Sequence, residues 1–305
     1  MMKKFLALLI SVLLVVSFTA CNSDSKDDGK IKIVTTVFPF YDFAKNVAGD
    51  KAEVVLLLPT GAEAHSYEPT MQDVMMIKDC DLFIHLGMGA DPWTDNIVNA
   101  SDFDSKNDLQ TMKCVELKKE SNHHNHKHNG FEYDEHVWTS LRNSKEIVNN
   151  ISAKLQEKDP DNAEYYLNNA KKYCEKLDEL DKKFVSITKN ADKPIAFADG
   201  FPIKYFAEDY GLRYISVFPG CSGESEPSVE DVTGFVKEVK EKNISTIFYT
   251  ETSNGQLPDT ICAETGAEKT LFHSCHTVSK KQLDSGVTYL ELMENNYTAL
   301  NKALK

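Results

Sequence analysis

From residue 31 onward, short apolar and β-branched runs alternate with stretches whose apolar positions recur every three or four residues. The runs at 30–37, 52–58, 81–86 and 112–117 predict strands in the first half of the chain; those at 194–198, 212–217, 245–249 and 269–272 predict strands in the second. Helical spacing fits Pro39 to Gly49, with proline first and glycine last, then 70–78 and 92–99. In the second half it fits 202–210, 228–242, 258–265 and 288–303, where Ser228 with Asp231 makes an N-cap pair and Gly266 a C-cap. Strands interleaved with helices, four and four, predict an α/β protein of two lobes, each with a mainly parallel four-stranded sheet.

Between the halves, 143–157 and 160–190 both read as helix, interrupted at Asp159-Pro160. In the second, Tyr166, Ala170, Tyr173, Leu177, Leu180 and Phe184 follow three- and four-residue spacing. About 30 residues of helix would span roughly 45 Å, enough for one rigid spine along both lobes. The expected division is an N-terminal lobe at 31–158, a connecting helix at 159–190 and a C-terminal lobe at 191–305.

The N-terminus sets the compartment. Met1-Met2-Lys3-Lys4 is a positive lead, and Phe5 to Ala20 is apolar and uncharged, short for a membrane span and suited to a signal peptide over 1–20. The small residues before Cys21 resemble a bacterial lipoprotein signal, in which Cys21 becomes the lipidated N-terminus; Phe18 departs from the usual pattern there. Residues 21–30 are polar and read as a tether holding an extracytoplasmic, monomeric domain at the cell membrane. The net charge of −13 argues against a nucleic-acid partner and suits cations or solubility. With no CxxC, the cysteines support neither a redox motif nor a zinc ribbon. Cys221 and Cys275 lie in loop-like stretches and are a candidate disulfide pair in this compartment, which spacing alone does not establish.

Five of nine histidines fall within residues 121–138. His123, His124, His126 and His128 have no apolar neighbours to pack with, so they read as an exposed loop able to collect a borderline divalent metal without fixed geometry. His136, in "DEHVWTS", has aromatic and apolar neighbours that can lock a ring, either as a core histidine or as a preorganised ligand. His65 follows a predicted strand, where open α/β sheets bind ligands, and reads equally as ligand or surface residue. His273 and His276 follow the last strand; both could reach one metal, or one could bind while the other supports it. Asp199, in "FADGFP", also follows a strand and offers a carboxylate.

The order of "IKIVTTVFPFYDFAKNVAGD", "LLPTGAEAHSYEPT", a His-rich insertion, "DEHVWTS" and "EPSVEDV" resembles the zinc/manganese substrate-binding proteins of bacterial ABC transporters, over nearly the whole mature chain. The resemblance implies metal held between two lobes and passed to a membrane permease, with His65 and His136 as first-lobe ligands and Glu68 as a supporting carboxylate. Glu251 is a further candidate supporting carboxylate. Two departures stand out. "FADGFPIKYFAEDYGL" lacks the family's usual third histidine, and His273 is nearest to its final carboxylate. The implied core is therefore His65, His136 and His273, completed by His276 or Asp199. Such nitrogen-rich ligation suits Zn2+ and disfavours Mn2+. A manganese transporter component or a metal-dependent adhesin is the alternative. A secreted zinc hydrolase is disfavoured, because neither HExxH nor GxSxG is present.

Overall fold

Two sheets with matching strand order organise the chain. In the first, β1 (Ile31–Thr35), β2 (Ala52–Leu56), β3 (Leu82–His85) and β4 (Asp108–Gln110) lie in the order β2-β1-β3-β4, all parallel. In the second, β5 (Ile195–Phe197), β6 (Tyr214–Ser216), β7 (Thr246–Tyr249) and β8 (Glu268–Leu271) repeat it as β6-β5-β7-β8, again all parallel. The computed structural model describes residues 29–62, 67–100, 103–119, 132–218 and 227–305, and residues 31–305 form one compact unit.

Parallel pairing requires crossovers, which the helices supply. The first lobe uses α1 (Phe38–Ala48), α2 (Met71–Lys78) and α3 (Pro92–Ala100). Then come α4 (Leu141–Lys158) and α5 (Ala163–Thr188). The second lobe uses α6 (Lys204–Asp209), α7 (Val229–Glu241), α8 (Gln256–Thr265), α9 (Lys280–Asp284) and α10 (Tyr289–Ala303). Strand order reverses between β1 and β3, and again between β5 and β7. At such switch points the loops beyond the carboxyl ends separate and leave a crevice for ligands.

Each sheet is covered on both faces. The outer face of the first buries Val34, Leu57, Phe83, Ile77 and Ile97 under α2 and α3. The outer face of the second buries Ala196, Ile247, Phe235, Val239 and Ile261 under α7 and α8. The inner faces share a single core with α1, α4, α5, α6 and α10, so the lobes are not separately packed bodies. The spine helix α5 ties them. Its Asn169 donates to Val47 O (3.1 Å) and its Tyr173 to Asp42 Oδ2 (2.7 Å) in the first lobe; its Asp181 accepts from Tyr210 (2.9 Å) in the second.

Local sequence explains the helix ends. Thr70 with Asp73, Ser228 with Asp231 and Thr288 with Glu291 form reciprocal capping boxes. Gly266 closes α8 at φ +74°, a left-handed conformation that glycine adopts without a Cβ penalty.

Three expectations need correction. The strand expected at 112–117 is instead β4 at Asp108–Gln110, followed by a 3-10 turn at Thr111–Cys114. Buried His85 on β3 bonds Asp108 (2.7 Å) and its carbonyl accepts from Thr111 Oγ1 (3.1 Å), so side-chain bonds, not apolar alternation, fix where the strand lies. The spine helix has 26 residues, because Pro160–Asn162 form a separate 3-10 turn after α4 stops at Asp159. Finally, Cys275 is a free thiol, fully buried in the shared core, with Sγ 3.8 Å from His273 O. It packs as a small hydrophobe and not as half of a bridge. Its expected partner Cys221 lies outside the described residues.

Candidate metal centre

His136 stands just before a short 3-10 turn, Val137–Thr139, on the segment that enters α4. It is 1% exposed. Asp134 Oδ1 accepts its backbone N–H (2.8 Å) and lies 3.2 Å from ring Nδ1. A carboxylate beside Nδ1 holds the proton there and turns the lone pair of Nε2 toward a metal, the usual support for a ligating histidine. Trp138 anchors this turn across the lobes: its indole N–H donates to Ser274 O (2.8 Å), and its own carbonyl accepts from Tyr289 of α10 (2.6 Å).

The second-lobe loop after β8 is built around Glu251, which follows β7. Glu251 accepts from Ser274 N (2.7 Å), Ser274 Oγ (2.7 Å) and His276 N (3.1 Å). Between them Cys275 sits at φ +64°, a left-handed conformation that costs a non-glycine residue about 1–2 kcal/mol. These bonds hold it there. The loop also reaches the first lobe directly, since Phe38 N donates to His276 O (3.4 Å) and Gly61 N to Thr277 Oγ1 (3.0 Å).

The ring facing His136 is that of His276, 6% exposed. The two centroids are 5.6 Å apart with planes at 81°, and Trp138 packs against both, at 5.3 and 5.1 Å. Two imidazoles bound to one tetrahedral zinc, each nitrogen about 2 Å from the metal, have centroids roughly 5 Å apart. The observed separation fits a shared ion.

His273 is set differently. Its Nδ1 accepts the Cys275 N–H (3.0 Å), which places the proton of a neutral ring on Nε2 and leaves that nitrogen a donor. Nε2 is buried and finds no hydrogen-bond partner among the described residues. Burial pushes this imidazole below its ordinary pKa, with the Glu251 carboxylate opposing. Its backbone is clamped by Asn296, which accepts from His273 N (2.7 Å) and donates to His273 O (2.8 Å).

The carboxylates divide as well. Both Asp199 oxygens accept bonds, from Thr250 N and Ser253 Oγ (2.9 Å each), bracing the loops after β5 and β7; burial raises its pKa. Glu68 is exposed. Asp91, which sequence reasoning did not single out, is 5% exposed, at the end of the loop that joins β3 to α3. Burial, with the charges of Glu135 and Asp95 behind it, pushes its carboxyl up to about 7, while the His136 ring pulls the other way. Asp134 and Trp138 were also missed as functional residues, although both lie within or beside the quoted "DEHVW". A carboxylate two residues before a buried histidine was the signal available.

Cys21, His65, His123, His124, His126, His128 and Cys221 lie outside the described residues. Among the described residues, no three histidine, cysteine or acidic side chains stand ready around one metal position. No described helix is long and apolar enough to cross a membrane.

Residues 33–303 match the family described as zinc-uptake complex component A, periplasmic. The chain is 32% identical over 299 residues to the high-affinity zinc uptake system protein ZnuA of Bacillus subtilis (strain 168), covering 94% of this chain and 92% of that protein. It is 31% identical over 310 residues to the zinc-binding lipoprotein AdcA of Streptococcus pneumoniae (strain ATCC BAA-255 / R6), covering 99% of this chain but only 61% of that longer relative. The crystal structure of the Zn(II)-bound ZnuA-like domain of Streptococcus pneumoniae AdcA aligns with a TM-score of 0.77 at 30% identity, over 90% of this chain and 99% of that one.

Proposed function

The chain belongs to the zinc-uptake complex component A family, and we propose that it captures Zn2+ between its two lobes outside the cytoplasm and hands it to a membrane permease. The observation that carries this reading is the meeting of His136 and His276, one from each lobe, at a ring separation that suits a shared ion. Asp134 supports it by orienting the His136 ring. His65, which follows β2 in the sequence, is the third nitrogen donor in this reading. His276 takes the second-lobe role first expected of His273, whose Nδ1 already accepts a backbone N–H. Asp199 braces loops in this reading. Nitrogen donors favour zinc over manganese, which prefers oxygen. The family is one of transport components, not enzymes, so the hydrolase alternative falls away.

The shared core and the spine helix limit how far the lobes can part. Loading and release then involve the loops at the carboxyl ends of the strands more than a wide hinge motion. His123, His124, His126 and His128 gather metal ahead of the fixed site, and lipidation of Cys21 keeps the protein beside its permease.

Chelator-competition titration of zinc into the chain lacking residues 121–130 tests the reading. Tight one-to-one binding that survives the deletion and is lost in His136→Ala and in His276→Ala supports an interlobe site. Affinity that disappears with the loop and ignores both substitutions refutes it.

A further inference from the structure

The loop leaving β3 has an unusual backbone. Gly87, Met88 and Gly89 follow one another at φ +76°, +58° and +89°. Gly87 is obligatory, because a Cβ there would lie 2.5 Å from the Gln110 side chain. The loop closes with Ala90 N donating to Gly87 O (3.1 Å) and delivers Asp91 to the start of α3.

An aspartate immediately before a helix ordinarily turns its carboxylate back to accept the first amide protons. Asp91 does not. Its backbone carbonyl takes that part, accepting from Thr94 N (2.9 Å) and Thr94 Oγ1 (2.8 Å). The carboxylate is buried, and Oδ2 has no hydrogen-bond partner among the described residues. A buried carboxylate without a donor is costly, and a second carboxylate nearby makes it worse. Glu135 is that second one: its charge acts on Asp91, and its Oε1 lies 3.9 Å from His136 Nε2. Nothing in the packing of α3 requires an acid at this position, since the carbonyl already makes the cap bonds. A divalent cation beside His136 would give the Asp91 carboxylate the counter-charge that hydrogen bonds do not supply.

We propose that Asp91 is a cation-facing carboxylate of the His136 side of the site, holding the bound divalent metal by its charge and so setting how tightly the first lobe grips it. The inference rests on the zinc-capture reading. It explains why a loop with three consecutive left-handed residues ends in an acid that forgoes its cap. It also supplies, from the first lobe, a carboxylate oxygen that accepts no hydrogen bond among the described residues, whereas both Asp199 oxygens accept bonds from Thr250 N and Ser253 Oγ.

Asp91→Asn keeps the shape and removes the charge. Zinc affinity of the full-length chain is measured by chelator competition for the unsubstituted protein, Asp91→Asn and His136→Ala, with metal-free melting temperatures alongside. The expected result is a zinc affinity at least tenfold weaker in Asp91→Asn, with a metal-free melting temperature equal to or above that of the unsubstituted protein. Should Asn lower that temperature, Asp91→Ser is read in its place by the same criterion. A loss smaller than tenfold, while His136→Ala abolishes tight binding, overturns the role of Asp91 and leaves the zinc site standing. If His136→Ala also leaves affinity intact, the zinc-capture reading itself fails, and this inference with it.

Discussion

In the first lobe Asp134 bonds both the backbone and the ring of His136, whereas in the second Glu251 acts on the loop, accepting from Ser274 N, Ser274 Oγ and His276 N. The sheets that carry these loops have the same order and the same parallel sense, so the difference does not come from topology. It comes from where the histidines lie. His136 stands on a short turn that Trp138 pins into the shared core, and only its ring still needs orienting. His276 follows a left-handed residue, and the backbone itself must be held before the ring can be placed. One acid therefore orients a ring; the other builds a loop.

The histidines themselves give the sharpest test of that contrast. His136→Ala and His276→Ala should each weaken zinc binding by more than about 100-fold, beyond the 10–100-fold typical of losing a ligand's hydrogen-bond partner. His273→Ala should cost less than about tenfold on the same scale. Chelator competition decides, and a larger loss at His273 than at His276 would return the second-lobe role to the former.

The two acids should separate next. Glu251→Ala removes the acceptor of three buried donors and is expected to lower stability by about 3 kcal/mol, read by urea denaturation of the metal-free protein. Asp134→Asn should weaken zinc binding about 10–100-fold while changing that stability less. Equal stability losses in the two variants would erase the distinction between ring bracing and loop bracing.

Beneath the site, Asp42 of α1 is buried against Tyr173 of the spine helix, and burial pushes its carboxyl up to about 6 despite that hydrogen bond. A carboxyl raised on folding contributes stability below its unfolded value, near 4, that is lost as pH rises through about 6. Asp42→Asn should therefore stabilise the protein at pH 7.5 by up to about 2–3 kcal/mol and flatten the change between pH 4 and 6. Thermal melts across that range check it; an unchanged pH profile would mean the shared core is indifferent to this charge. The smallest effect is expected at the cross-lobe anchor. Trp138→Phe loses the bond to Ser274 O and should cost about 1–2 kcal/mol, with a modest fall in zinc affinity.

Much of the architecture was legible because parallel α/β lobes write strong local patterns: buried strands as apolar runs, helices as three- and four-residue spacing, ends as Ser228-Asp231 and Gly266. The strand expected at 112–117 was misplaced because a short apolar run does not reveal that His85 bonds Asp108 and so pins a different segment at the sheet edge. The disulfide expectation failed for a similar reason. A cysteine in a loop-like stretch looks exposed until the loop folds into the core, as it does at Cys275.

By itself the sequence determined two parallel sheets, a spine helix between them, and a set of histidines placed at strand ends, because each follows from local spacing. Only the tertiary structure decided which second-lobe ring meets His136. Three residues of loop separate His273 from His276, and loop spacing carries no direction. A left-handed backbone at Cys275, clamped by Glu251 and Trp138, turns the chain so that one ring accepts a backbone proton and the other faces across the lobes. Asp91 belongs to the same class. Its place before α3 reads as an ordinary helix cap, and only the fold shows its carboxylate buried, with Oδ2 accepting no hydrogen bond among the described residues and the charge of Glu135 acting on it.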